Sequence, residues 1–111
     1  MIENIVQDFL QEKLGQIPVR LEREEGLPAK YVIIEKTGSG EENHIYTATF
    51  AVQSYADSLY EAAALNSLII GYMEALPDER DVFSCELNSD YNFTDTTFRK
   101  YRYQAVFDIV Y

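Results

Sequence analysis

Hydrophobic and polar residues alternate along the last part of the chain, from Arg99 onward. One side of the alternation consists of Tyr101, Tyr103, Ala105, Phe107, Ile109 and Tyr111. A period of two that is kept this long is typical of a β-strand. Residues 94–97 precede it as a short polar link, so the pattern predicts a long C-terminal hairpin.

Two other segments have helical spacing of their apolar residues. The first covers residues 2–14, and Gly15 follows it as a stop signal. The second covers residues 58–76, and its first residue forms the capping-box pattern with Glu61. We expect Pro77 to end this second helix because proline cannot continue an α-helix.

The second helix has two contrasting faces. Its predicted core stripe is Leu59, Ala62, Leu65, Ile69, Tyr72, Met73 and Leu76. The opposite face contains Tyr60, Ala64, Ser67 and Gly71, where charged residues would be usual. Two explanations are open: a loop of the same chain covers this face, or an element of another subunit packs closely against it.

The remaining elements are predicted strands and one loop. Residues 19–23 form a short strand, and residues 31–36 form a β-branched strand that is buried on both faces. Residues 37–43 are expected to be a flexible acidic loop, and residues 44–54 and 82–93 to be further strands. The order α-β-β-β-α-β-β predicts a single α+β domain with two helices on one face of a mostly antiparallel sheet.

The charge of the chain is strongly negative, with 9 basic and 19 acidic residues and a net charge of −10. This balance argues against a protein that grips nucleic acid, because phosphate binding needs a basic surface. The single cysteine, Cys85, cannot form an internal disulfide. With no signal-peptide pattern and no apolar run of ~18 residues, we expect a soluble protein that is assembled in a cytoplasm.

No catalytic, cofactor or metal site is predicted. The only histidine, His44, has no second ligand of suitable type nearby, and Cys85 lies in a strand pattern without a basic partner. The glycines of residues 38–40 lack the lysine of a phosphate-binding loop. Asp90 and Asp95 flank an aromatic step and are better explained by turn formation than by catalysis.

A basic cluster interleaved with tyrosines stands out against the acidic chain. Arg99, Lys100 and Arg102 alternate with Tyr101 and Tyr103, as in proteins that bind single-stranded nucleic acid. Strand alternation, however, places Arg102 on the other side from the tyrosines. A simpler role is charge pairing with acidic loops of the same chain or of a neighbouring subunit. We therefore take these three basic residues, with the four residues on the outer side of the second helix, as candidates for a subunit interface.

Several short sequence segments along the chain support a resemblance to a known family. They are the opening helix, residues 27–35 (LPAKYVIIE), residues 50–56 (FAVQSYA) leading into the Ala-rich helix, residues 90–95 (DYNFTD) and residues 101–107 (YRYQAVF). Together they resemble the small tail-terminator or tail-completion proteins of long-tailed bacteriophages and prophages, especially those of Gram-positive hosts. These segments are spread over almost the whole chain, and none of them is a catalytic signature.

The resemblance implies a structural role without cofactors or catalysis. Such proteins form a ring, usually a hexamer, on the completed tail tube and join it to the head connector or stopper protein. DNA passes through the ring without specific binding, so the expected location is the virion tail or neck, after assembly in the host cytoplasm. The candidate lumen-facing or partner-facing acidic residues, all expected in loops, are Glu41, Glu42, Asp78, Glu79 and Asp81. An ordinary solvated acidic surface is the alternative explanation for each of them.

Two other classes of protein stay open on the sequence alone. One is a structural protein at a different position in the phage particle, such as another neck component or a tail-tube subunit. The other is a small α+β binding module or enzyme unrelated to phages. The chain lacks a paired nucleophile and base or a metal-ligand set, so we expect a structural protein rather than an enzyme.

Overall fold

The computed structural model describes all 111 residues and contains three helices and five strands. In chain order the elements are α1 (Ile2–Leu14), β1 (Val19–Arg20), β2 (Tyr31–Glu42), β3 (Ile45–Ala56), α2 (Leu59–Glu74), α3 (Leu76–Glu79), β4 (Ser84–Asn92) and β5 (Tyr101–Val110). The predicted α+β order is confirmed, with α3 as an additional short helix. None of the helices is long and apolar enough to cross a membrane.

The five strands form one sheet in the order β1-β2-β3-β5-β4. Only the pair β1–β2 is parallel, and the other three neighbouring pairs are antiparallel. β3 therefore lies at the centre, between the long strands β2 and β5. The outer edge of β4 is unpaired, and β2 has no outer neighbour beyond Ile33 because β1 is so short.

The helices pack on one face of this sheet and form the main core with it. Val6, Phe9 and Leu10 of α1 belong to one buried cluster with the large sheet residues Phe50 and Phe107, and all five side chains are fully buried. α1 ends as predicted, since Gly15 adopts a φ of 63°, a conformation that glycine reaches without steric cost. The predicted alternation in β5 is confirmed by the burial of Ala105, Phe107 and Ile109 in this core.

The predicted start of α2 is confirmed, and its predicted end is wrong. The Ser58 side-chain oxygen accepts a hydrogen bond from the Glu61 backbone N–H at 3.1 Å, as a capping residue should. Pro77 does not stop the helical region. It lies in the first turn of α3, where its missing N–H costs nothing.

The core stripe of α2 is confirmed for most of its predicted members. Ala62, Leu65, Ile69, Met73 and Leu76 are buried as expected, whereas Leu59 is exposed and Tyr72 is only half-buried. Asn66, which the pattern did not single out, is also buried.

The sequence placed two segments of the sheet wrongly. The strand predicted for residues 19–23 stops at Arg20, and Leu21 is exposed. The acidic loop predicted for residues 37–43 is mostly strand, because β2 continues to Glu42 and pairs with β3 along its whole length. The turn between these strands is only two residues long, Asn43 and His44.

Candidate interaction surfaces

The distal part of the β2–β3 hairpin forms an exposed arm, which we define as residues 38–47. Its base lies beside the end of β5, where Tyr46 and Tyr111 exchange two backbone hydrogen bonds, and residues 42–45 extend beyond β5 as the tip. Every residue of the arm is exposed although its backbone pairs as regular β-structure. Asn43 and His44 both have positive φ, 53° and 66°, as a two-residue type I′ hairpin turn requires. The arm therefore owes its shape to backbone pairing and turn geometry rather than to burial.

The arm carries acidic and apolar side chains in direct cross-strand pairs. Glu42 lies opposite Ile45, and Glu41 lies opposite Tyr46. The Tyr46 ring stacks on Tyr111 of the chain's own body, with 5.8 Å between ring centroids. The face with Glu42 and Ile45 has no such contact, and 55% of Ile45 is exposed to solvent.

A shallow groove of about 260 Å³ lies at the other end of the sheet, and we call it the basic groove. Its lining residues are Leu27, Pro28, Ala29, Tyr31, Tyr55, Ala56, Asp57, Arg99, Lys100 and Tyr101. The rings of Tyr31 and Tyr55 stack at 4.5 Å between centroids. Burial raises the pKa of the Tyr31 phenol above its ordinary value.

A compact link between β4 and β5 holds the basic residues of the groove. Within it, Asp95 and Lys100 exchange two backbone hydrogen bonds of 3.1 Å. The Asp95 carboxylate also accepts from the backbone N–H groups of Thr97 and Phe98, at 3.0 and 3.3 Å. The structural role predicted for Asp95 is thus confirmed. The short link predicted at residues 94–97 extends in fact from Phe93 to Lys100.

The turn role predicted for Asp90 is wrong. Asp90 lies inside β4, and its carboxylate accepts a hydrogen bond from the buried Asn66 side chain of α2 at 3.4 Å. The Asn66 carbonyl oxygen has no hydrogen-bond partner. This contact joins the helical layer to β4 across elements that are distant in sequence, which is why local patterns did not reveal it.

Arg102 belongs to the sheet face that carries no helices, beside the groove. Its guanidinium lies 4.3 Å from the Phe93 ring centroid and donates to the Tyr55 hydroxyl at 2.9 Å. The same face carries hydrogen bonds from Gln53 to Gln104 and from Gln104 to Tyr91. The Arg102 side chain therefore makes its contacts within the chain. The alternation of the strand predicted that Arg102 lies on the other side from Tyr101 and Tyr103, and this prediction is confirmed.

The charge pairing predicted for the basic cluster does not occur within the chain. All four ion pairs of the structure use other cations, namely Lys13, Arg20, Lys36 and Arg80. Arg99 is exposed with a positive φ of 53°, and Lys100 is half-buried at the groove. Pairing with a neighbouring subunit stays a prediction for these two residues.

The outer face of α2 lies on the opposite layer from the Arg102 face. Tyr60, Ala64, Ser67 and Gly71 are all exposed, and 83% of Tyr60 is accessible to solvent. A covering loop from the same chain was one of the two explanations for this face, and it is wrong. The structure does not bring these four residues together with the basic cluster, so they are two separate candidate surfaces.

The acidic candidates are not a set of loop residues. Glu41 and Glu42 lie in β2, and Asp78 and Glu79 lie in α3, which leaves only Asp81 outside a helix or strand. Glu79 is also bound to Lys13 of α1 at 2.8 Å. The expectation that all five are in loops is therefore wrong, because regular structure extends further at both places than the polar composition suggested.

The two residues weighed for chemistry lie in ordinary surroundings. His44 is exposed in the arm's turn, and Cys85 is buried in the main core. Burial, with Glu74 and Asp108 nearby, raises the pKa of the Cys85 thiol to about 12. No group of three or more His, Cys, Asp or Glu side chains is placed to hold a metal ion.

Comparison with known proteins adds no family to this description. No protein-family model matches the chain, and no curated protein is significantly similar to it. The resemblance to phage tail-terminator proteins therefore stays a prediction.

Proposed function

We propose that this chain is a structural subunit of a long-tailed bacteriophage or prophage, which caps the completed tail tube as a ring and forms the joint to the head connector. The element order and the α+β architecture agree with what the resemblance implies. The ring is a hexamer in this proposal, and its other partners are the tail-tube protein and a connector or stopper protein.

The observation that carries the proposal is the arm. Its tip is ordered by backbone pairing, and the side chains of Glu42 and Ile45 on the tip are exposed and form no ion pair or ring contact with the rest of the chain. Exposed apolar side chains and unpaired strand edges favour binding to another protein surface. An assembly subunit uses such a tip for contact with another molecule, whereas in a free monomer the Ile45 side chain stays 55% exposed.

Further exposed apolar side chains support an assembly role. Phe83 and Phe98 are 84% and 73% exposed, although phenylalanine is usually buried. They lie at opposite ends of β4, one before it and one in the link to β5. A subunit that contacts both a tube below and a connector above needs contact residues at more than one end.

The net charge of −10 suits a ring through which DNA passes. Repeated around a ring, this charge repels the phosphate backbone and limits adhesion of the moving genome.

Deletion of the gene from the phage or prophage that carries it tests this proposal. We expect tails of uncontrolled length without heads, seen by electron microscopy, and normal particles when the gene is supplied on a plasmid. Normal tails joined to heads in the deletion strain would contradict the proposal. The absence of tubes altogether would instead identify a tube subunit.

A further inference from the structure

We propose that the arm of one copy binds in the basic groove of the next copy, head to tail, with Glu42 and Ile45 as the residues that enter the groove. The inference rests on the self-assembly that the proposed function requires and names the contact by which it occurs.

The geometry of the sheet makes this contact intermolecular. Ile45 and Ala56 are the two ends of β3, and Ala56 lies beside Tyr101 in the groove. An extended strand of this length spans about 36 Å, and the long axis of the molecule is 44 Å. The arm therefore cannot reach its own groove. A contact between two different surfaces at opposite ends is heterologous, and repetition closes it into a ring or extends it as a filament.

Charge selects the arm as the occupant of the groove. Arg99 and Lys100 form no ion pair within the chain, and neither do Glu41 and Glu42. Because the net charge of the chain is −10, most of its surface repels an acidic segment. In the basic groove the two unpaired cations adjoin each other and outnumber the single carboxylate of Asp57, so the groove is the complementary surface for an acidic tip.

The apolar parts of both surfaces also match. The stacked rings of Tyr31 and Tyr55 are largely buried and form the floor of the groove, and the half-buried Leu27 beside them adds accessible apolar surface. The free face of the arm presents Ile45 directly opposite Glu42. The groove volume of about 260 Å³ is below the ~300–1,000 Å³ that is usual for small-molecule pockets, so it suits one or two side chains of a docked segment.

Cross-linking between single-cysteine copies tests the contact directly. One copy carries Glu41→Cys in the arm, which leaves Glu42 and Ile45 intact, and the other carries Ala29→Cys at the groove. The matched control replaces the arm copy with Asp8→Cys, an exposed position on α1. Cys85 remains in all copies because it is buried and its thiol ionises only at high pH. The unsubstituted chain measures any background from it.

With a short bis-maleimide linker and mixed copies, we expect the arm–groove product to form about tenfold faster than the control product, since docking raises the local thiol concentration. Equal rates would overturn the proposal. Dominant arm–arm or groove–groove products would do so as well, because they indicate a symmetric contact.

Charge reversal provides the second measurement. Glu42→Lys and the double change Arg99→Glu/Lys100→Glu should each lower the cross-linking rate about tenfold. The chain that combines all three changes should recover it, whereas Asp8→Lys should have no effect. Failure of the combined chain to recover would overturn the proposal. So would a rate that responds to the groove changes but not to Glu42→Lys, which would assign the groove to another acidic partner.

These outcomes are independent of the gene deletion described above. Overlong tails without an arm–groove cross-link would leave the capping function in place with a different subunit contact. A charge-dependent cross-link with normal tails would leave the contact in place and remove the capping function.

Discussion

The two hairpins of the sheet are built in opposite ways. The β4–β5 hairpin has a long link that is closed by Asp95, and its β5 strand buries Ala105, Phe107 and Ile109 beneath the helices. The β2–β3 hairpin has a two-residue turn and leaves residues 38–47 exposed. Both hairpins contribute to the core, since β2 and β3 bury Ile34, Phe50 and Val52 in it, but only the β2–β3 hairpin ends in a fully exposed segment, which we propose as a contact surface. The buried residues of both hairpins stabilise the fold, whereas the exposed residues of the arm are available for contacts.

Truncation of one apolar residue in each hairpin should give the largest contrast. Phe107→Ala removes a fully buried ring and should lower the free energy of unfolding by about 3–5 kcal/mol. Ile45→Ala, in the arm, should change it by less than about 0.5 kcal/mol. Urea denaturation followed by circular dichroism measures both, and similar losses for the two variants would contradict the division of roles.

Thiol labelling should sharpen the same contrast. The pKa of Cys85, raised to about 12 from an ordinary 9.0, implies a thiolate fraction about a thousandfold lower at neutral pH. We expect Cys85 to react with iodoacetamide only as fast as the protein unfolds, whereas the thiol introduced in the arm by Ser39→Cys should react as in a free peptide. If Cys85 were labelled as fast as that introduced thiol, the core would be open.

The same buried thiol gives a prediction for alkaline pH. The unfolded chain loses the Cys85 proton near pH 9, and the folded chain near pH 12. Between these values the unfolded state binds fewer protons, so stability falls as the pH rises. Cys85→Ala should reduce this alkaline loss, as measured by denaturation midpoints at pH 8 and pH 10.5. An identical loss in both proteins would contradict the raised pKa.

The link of the β4–β5 hairpin should be sensitive to one carboxylate. Asp95→Ala removes the acceptor of two backbone N–H groups and should lower the free energy of unfolding by about 1 kcal/mol. Thr96→Ala is the matched control, because Thr96 is exposed in the same link. Equal effects of the two changes would show that Asp95 does not organise the link.

The turn of the arm should respond in the opposite direction. His44 adopts a φ of 66°, which a residue with a side chain tolerates at a cost. His44→Gly should therefore stabilise the arm by about 0.5–1 kcal/mol, and His44→Val should destabilise it. Amide hydrogen exchange of residues 38–47 measures the effect locally, and faster exchange in His44→Gly would contradict the type I′ turn.

The pattern of apolar residues predicted the helices and strands that bury one face, and it missed the regular structure of the exposed arm. Helical spacing located α1 and α2, and alternation located β5, because burial imposes a period on apolar residues. Residues 37–43 show no such period because all of them are exposed to solvent. Regular backbone pairing does not require apolar residues, and composition therefore suggested a loop. The prediction that Pro77 ends the second helix was wrong because proline is also favoured in the first turn of a helix, and here it lies in the first turn of α3.

The candidate surfaces were predicted only in part. The unpaired cations Arg99 and Lys100 were identified from their charge in an acidic chain, but alternation alone did not show that they adjoin Tyr31 and Tyr55. These residues come together because β3 and β5 pair in register, with Ala56 beside Tyr101. Contacts set by strand register are not visible in local sequence.

The central claim, that the chain is an assembly subunit which closes a ring on a tail tube, is tested most directly by electron microscopy. The purified protein would be mixed with tail tubes from the deletion strain and imaged. The account predicts one closed ring at a single end of each tube and no further growth of the tube. Extended polymers of this protein, or tubes that continue to lengthen with bare ends, would contradict it.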